Sequence, residues 1–229
     1  MEEVKQLFTT AAQVRNGARW VIALALGLRQ GEALGLKWSD VDWETHTLTV
    51  SRNRLRPTYS HGCGGTCGHD RAGHCPDRIK TRADTDSTKS KAGRRLIGLP
   101  DQLVHLLRAH QTRQEAERQM AAQMWTDADW LFADQTGGAI NPSTDRSHWK
   151  ALLTAAGIRD GRLHDARHTA ATVLLLLGVD QRSMMGIMGW SDSAMTVRYA
   201  HVVEPIRKDI ATRLSGLLWE ANDVGESRN

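Results

Sequence analysis

Three segments carry the residue types that could do chemistry on an anion: GLRQGE with Arg29, HDAR with His164 and Arg167, and VRYAH with Tyr199. A guanidinium presents a rigid fork of donors to an oxyanion, and a phenol oxygen can serve as a nucleophile. Glu32, three residues after Arg29, can pair with that guanidinium and fix its fork. His164 and Arg167, at i and i+3, share one face near the positive N-terminal end of a helix, a place that suits an anion. Each feature also has an ordinary reading. Arg29 could snorkel from the end of an apolar helix. His164 and Arg167 could be a helix-start cap and a surface salt bridge to Asp165 or Asp160, worth roughly 0 to 1 kcal/mol. Tyr199, one of the chain's two tyrosines, could be a core or interface residue.

The elements that must position these groups follow from the pattern of the chain. Residues 14–28, VRNGARWVIALALGL, form a strongly apolar core helix whose end is marked by Gly27 and Gly31, with Arg29 at the turn. KWSDVDWE reads as a turn. THTLTVSRNRL then alternates like a strand, and RRLIGLP supplies a second short strand stopped by Pro100, with a long excursion between the two. Residues 101–123 read as a polar amphipathic, peripheral helix, with Leu103, Leu106 and Leu107 as its stripe and Glu115, Glu117 and Arg118 facing water. NPSTDRSHWKALLTAAGI opens on Pro142 and the cap-forming Ser143, Thr144 and Asp145 and ends at Gly157. LHDARHTAATVLLLLGV is an apolar helix closed by Gly178. QRSMMGIMGW and SDSAMTVRYAHV give two short helical segments separated near Gly189, and a polar tail runs from Pro205 to Asn229. The expected class is α+β, mainly helical, with a small antiparallel sheet inserted after the first core helix rather than alternating βαβ units.

The 229 residues fit one domain with an excursion, and 40% of them are apolar, enough for a core. No apolar stretch approaches the roughly 20 residues needed to span a bilayer, and MEEVKQLFTTAAQ has no basic start, apolar run and cleavage site. A soluble, cytoplasmic protein without a membrane partner is expected. Thirty Lys and Arg against 26 Asp and Glu leave a net charge of only +4, too little to mark a nucleic-acid binder. The distribution is more uneven: Arg78, Lys80, Arg82, Lys89, Lys91, Arg94 and Arg95 face only Asp84 and Asp86 in the same stretch. That stretch is either a solvated basic loop or one that faces phosphates.

All three cysteines, Cys63, Cys67 and Cys75, lie in SHGCGGTCGHDRAGHC within the excursion, among His61, His69 and His74. A Cys3His site for a structural zinc ion can be written from them, with His69 taken as the fourth ligand and the glycines letting the backbone wrap the ion. The C-x3-C and C-x7-C spacings match no standard finger. Free thiols on a disordered loop are the competing reading, and a disulfide is disfavoured in the cytoplasm.

Taken in order, these motifs resemble the tyrosine recombinase (phage integrase) family, over nearly the whole chain. GLRQGEALGLKWSDVDW is similar to its first arginine box, KSKAGRRLIGLP to the hairpin that carries its lysine, HDARHTAATVLLLLGV to its second box and MGWSDSAMTVRYAHV to its last. The resemblance implies the family's catalytic fold across residues 1–229, with an insertion at about 56–88 and a C-terminal tail at about 205–229. It implies that Arg29 and Arg167 hold the non-bridging oxygens of a DNA phosphodiester as charge builds in a pentacoordinate transition state. Glu32 would support the site. Tyr199 would attack to give a 3′-phosphotyrosyl intermediate, losing its proton with help from nearby cations and His164. A lysine followed by a small hydroxyl residue would protonate the leaving 5′ oxygen; Lys89 before Ser90 fits this, with Lys91 as the neighbouring candidate.

The sequence departs from the family where most members carry a histidine: it reads MGW, placing Trp190 nine residues before Tyr199. An indole N–H can donate to a phosphate oxygen but cannot exchange a proton. Trp190 is therefore expected to hydrogen-bond the transition state, with a core tryptophan as the competing reading, and His201 to be supportive. No paired carboxylates suggest two-metal chemistry, so catalysis is expected to need no metal or other cofactor. The implied partners are double-stranded DNA at attachment sites, further protomers in a tetramer on DNA, and accessory DNA-bending or directionality factors, in a nucleoid-associated setting. The family usually carries a separate N-terminal DNA-binding domain, which is expected to be missing here, leaving weak, salt-sensitive DNA binding. A DNA-binding or assembly module without catalysis and a type IB topoisomerase are the other classes these residues fit.

Overall fold

The computed structural model describes residues 2–87, 93–177 and 179–194. Helix α1 (Glu2–Ala12), which the sequence pattern did not reveal, buries Leu7 and Ala11 against helix α2 (Gly17–Ala25). Apart from Arg19, helix α2 is apolar, and it is buried from Gly17 to Leu24, as a core helix should be. It starts at Gly17 rather than at residue 14 because the chain must first turn. Asn16 is left-handed with φ 58°, and a Cβ on Gly17 would lie 1.6 Å from the Ala11 carbonyl oxygen. Gly27, at φ +59°, ends this helix as expected. Gly31 does not, because it lies inside helix α3 (Gln30–Leu34), so Arg29 occupies a short joint between two helices.

The strands β1 (Val41–Asp42), β2 (Thr47–Val50) and β7 (Arg95–Gly98) form an antiparallel sheet in the order β1-β2-β7, with Leu48 opposite Ile97 and Val50 opposite Arg95. KWSDVDWE is thus a helical turn over Trp38–Asp40 followed by a strand. The predicted strand through residue 55 breaks at Ser51. Beyond it β3 (Arg52–Arg54) pairs with β6 (Thr85–Ser87), and β4 (Tyr59–His61) pairs with β5 (Arg78–Lys80). The excursion is therefore two successive hairpin ladders. Arg54 anchors the first, donating to the Ile140 carbonyl at 3.2 Å and pairing with Asp84 at 2.7 Å.

Helix α4 (Asp101–Ala121) is less peripheral than its composition suggests. Its buried stripe of Leu103, Val104 and Leu107 continues through His110 and Gln114, which sit inside because both can be satisfied there. His110 Nε2 lies 2.8 Å from the Leu131 carbonyl oxygen, and Gln114 donates to the same oxygen at 3.2 Å while accepting from the Trp38 indole at 2.6 Å. Glu117, on the outer side of the helix, stays partly exposed and accepts from two nitrogens of the Arg15 fork at 2.7 Å.

Asn141 caps helix α5 (Pro142–Ala155) by accepting from the Ser143 N–H at 2.8 Å, with proline in the first turn. Helix α6 (Leu163–Leu176) packs on α2. Asp180 caps helix α7 (Gln181–Met188), which ends at Gly189 with φ 62°. The main core joins α1, α2, α4, α5 and the three-stranded sheet, and a smaller cluster holds Ala171, Met184, Met188 and Trp190. Arg19 and Asp145 form a buried ion pair in this core, and Gln30 also donates to Asp145 at 2.7 Å. No helix among the described residues is long and apolar enough to cross a membrane.

Candidate active site

Glu32 is the centre of the charged cluster, with its side chain only 1% exposed. As the third residue of α3 it reaches back to the Arg29 N–H at 2.9 Å, while Arg29 Nη1 donates to its other oxygen at 2.7 Å. Arg95 on β7 donates from both terminal nitrogens, at 2.9 and 3.2 Å. Arg167 on α6 approaches to 3.9 Å. Burial by itself would raise the Glu32 carboxyl, but the hydrogen bonds and charges of Arg95 and Arg29 outweigh it and hold the group at about 2. Glu32 is therefore ionised at neutral pH.

The same three arginines meet the open end of α7, whose last carbonyls have no partner within the helix. Arg95 Nε donates to Ile187 O at 2.7 Å, Arg167 Nη2 to Met188 O and Arg29 Nη2 to Gly189 O at 3.4 Å. Arg167 Nη1 also donates to Gly27 O, at the end of α2. Cations at helix C-termini are favoured by the aligned peptide dipoles. One carboxylate and two helix ends thus fix three guanidiniums from three different elements. Arg29 is paired with Glu32, and the acids considered as surface partners for Arg167 pair with Arg162 and Lys150.

The two arginines singled out in the sequence differ in access. Arg29 keeps 42% of its side chain exposed, whereas Arg167 keeps 4%. His164 stands exposed on the first turn of α6, its ring edge-on to His168 with 4.8 Å between centroids. Partial burial and then the positive charge of His168, Arg167 and Arg29 lower its pKa, which favours the neutral imidazole. Trp190 is buried against Met184, Met188 and Ala171, and the Arg167 guanidinium carbon lies 5.8 Å from its ring centre. Lys89, Lys91, Gly178, Tyr199, His201 and the tail from residue 205 lie outside the described residues.

Arg95 was missed by sequence reasoning, which counted it as one more charge in a basic stretch. A signal was present. In a strand, Arg95 shares a face with Ile97 by the period of two, and Ile97 is buried.

A second cluster lies at the tip of the β4–β5 ribbon. One ligand atom from each of His61, Cys63, Cys67 and Cys75 falls within 4.8 Å of the others. The fourth member is His61, not the predicted His69. His61 ends β4 and Cys75 lies just ahead of β5, so strand pairing brings them together, while the His69 ring packs edge-on against His74. Hydrogen bonds from the Cys67 backbone and thiol lower the Cys63 thiol to about 5.

The sequence pattern described as the phage integrase family matches residues 1–204. An integrase of Saccharopolyspora erythraea is 41% identical over 97% of this chain. The chain belongs to the phage integrase family. It spans 58% of the length of that relative. Solved structures share its fold: XerA recombinase, at 25% identity and TM-score 0.61, over 93% of this chain and 62% of that one, and the Tn1549 transposon integrase in complex with transposon right end DNA, at 20% identity and TM-score 0.63, over 85% and 58%. The mainly helical α+β architecture expected from the sequence is that of this family's catalytic domains.

Proposed function

We propose that this chain is the catalytic domain of a site-specific DNA recombinase, extending from residue 1 to 229 with an insertion at about 56–88 and a tail from about 205. The observation that carries the reading is the Arg29–Glu32–Arg167 cluster in a chain of the phage integrase family: two forked cations from separate elements, fixed by one ionised carboxylate, with Arg29 open to solvent.

In this reading the scissile phosphate of duplex DNA meets Arg29 from outside and Arg167 from beneath, and their donors balance the charge that builds on its non-bridging oxygens. The Tyr199 oxygen attacks phosphorus, the bond to the 5′ oxygen breaks, and the DNA 3′ end becomes a phosphotyrosyl ester. Neutral His164 accepts the phenolic proton as the bond forms, and Lys89 gives a proton to the departing 5′ oxygen. The Trp190 indole adds a hydrogen bond to the phosphate, and His201 supports the nucleophile. In the reverse step a 5′ hydroxyl attacks the ester and reseals the strand. Energy is retained in the ester, so the reaction needs no high-energy cofactor, and the arginines and lysine supply the positive charge without a catalytic metal. Strand exchange would take place in a tetramer of protomers on paired attachment sites, with accessory factors setting direction.

The test is incubation with a suicide DNA substrate in buffer without added divalent metal. A covalent protein–DNA adduct should form, and the peptide recovered from it should contain Tyr199. Adduct formation by Tyr199→Phe at the wild-type rate would refute the assignment.

A further inference from the structure

The β4–β5 ribbon has a stability problem that the chain's cores do not solve. From Tyr59 to Lys80 it contributes no residue to either apolar cluster, and Ile79 is 57% exposed. Its described internal bonds are polar and local: the strand pairing of three residues with three, backbone bonds within its turns such as Arg78 N–H to Cys75 O and Thr81 N–H to Thr58 O, a Thr58–Thr81 hydroxyl pair at 2.9 Å and Arg78 over the Tyr59 ring at 5.3 Å. An isolated two-stranded hairpin is marginal in water, and segments below roughly 40 residues usually need a disulfide or a metal. The three cysteines are free thiols, so no disulfide closes this ribbon.

We infer that His61, Cys63, Cys67 and Cys75 bind one structural Zn2+ ion that takes the place of a core for the ribbon. The distances fit. With Zn–S near 2.3 Å and Zn–N near 2.0–2.1 Å, a tetrahedral site sets S···N edges at about 3.6 Å. His61 Nδ1 lies 3.4 Å from Cys67 Sγ and 3.9 Å from Cys63 Sγ. The backbone suits the task as well. Between and after the first two cysteines the chain turns through Gly64, Gly65 and Gly68, at φ +64°, +91° and +67°, with the Thr66 N–H and hydroxyl both donating to the Cys63 carbonyl. A Cβ at any of the three glycines would meet nothing within 4 Å, so it is the left-handed conformation, and not space, that calls for glycine.

Three thiolates and one imidazole fill four positions and leave none open for water, so the ion is structural. It holds the far end of a ribbon whose near end is the β3–β6 ladder, and β6 leads in sequence directly to the Lys89 segment. The inference does not depend on the recombinase reading, because the ligand geometry alone carries it.

The test uses the whole chain, purified without chelator from cells grown with zinc. Elemental analysis should give one zinc per chain in the wild type and in His69→Ala, with loss in Cys67→Ser and at least a tenfold weaker site in His61→Ala. Exchange with Co2+ should give thiolate-to-metal charge-transfer bands and the d–d spectrum of a tetrahedral site. The chain's three thiols all lie in this cluster, so a thiol reagent reads it directly: slow reaction with zinc bound, fast reaction of all three after chelation. Because the ribbon lies outside the core, the variants should keep the wild-type far-UV spectrum and a cooperative melt. Wild-type protein with zinc far below one per chain, or with a disulfide among these cysteines, would overturn the inference. Zinc lost in His69→Ala but retained in His61→Ala would overturn the ligand set.

Discussion

Replacing Glu32 with glutamine keeps the shape of the side chain and removes the one charge that Arg29, Arg95 and Arg167 share. The Glu32 carboxyl stands at about 2 in the fold against an ordinary 4.5, and that gap corresponds to about 3 kcal/mol of stability at pH 7. A buried ion pair broken from one side loses a similar amount, about 3–5 kcal/mol, because Arg95 and Arg167 stay buried without a counter-charge. The pKa is depressed in the folded state, so the contribution is complete above pH 4.5 and disappears as pH falls through 2. Urea titrations at pH 7 and pH 3 measure it. At pH 7 Glu32→Gln should be less stable than wild type by about 3 kcal/mol, and by pH 3 more than half of that difference should be gone. Adduct formation with a suicide substrate should also slow by about 10²-fold in the variant at a temperature where it is folded, because the Arg29 fork loses the partner that orients it. A variant within 0.5 kcal/mol of wild type at pH 7, or a difference that does not change with pH, would show that the carboxylate does not hold this cluster together.

Other expectations rest on buried polar groups elsewhere. Burial lowers the His110 imidazole to about 4, against only partial help from its bond to Leu131, so the native state resists protonation and stability should fall as pH drops from 6.5 to 4, by up to about 3 kcal/mol. His110→Phe, which leaves Gln114 as a donor to Leu131 O, should flatten a stability–pH curve in that window. Arg19→Met should cost about 3–5 kcal/mol by leaving Asp145 buried beside Gln30 alone, and Arg19→Met with Asp145→Leu should recover most of it; equal melts for the single and double variants would refute the pairing. Arg167→Lys keeps the charge but replaces the planar fork that donates to Gly27 O and Met188 O with a single ammonium nitrogen. Amide exchange in α7 should then speed up while α2 is unchanged, and wild-type protection of α7 would count against the bridge.

The arginine site was legible in the sequence where neighbours in the chain are neighbours in space. Arg29 and Glu32 meet across one turn of α3, and their spacing shows it. Arg95 meets Glu32 only because β7 returns beside β2 after an excursion of some forty residues, and sequence distance hides such a partner. The choice between His61 and His69 failed for the same reason: spacing admits either, and the pairing of β4 with β5 decides. Helix α1 escaped notice because its buried face is only Leu7 and Ala11, too thin a stripe to stand out. The polar part of α4 misled because His110 and Gln114 look like solvent residues until a carbonyl is found for them inside.

Among the described residues, Glu32 pairs with three guanidiniums, two of them nearly buried. One ionised carboxylate and the partial charges of the α7 carbonyls thus orient guanidiniums that come from three separate elements. Under the proposed function, an anion would meet this set from the exposed side of Arg29. In that proposal the arginines would be held in place before the phosphate arrives. The bonds that fix them are also the bonds that hold the end of α7, from which the chain continues toward Tyr199. If the proposed function holds, stability and anion affinity are properties of the same few side chains, and a substitution that relaxes one should be read for its effect on the other.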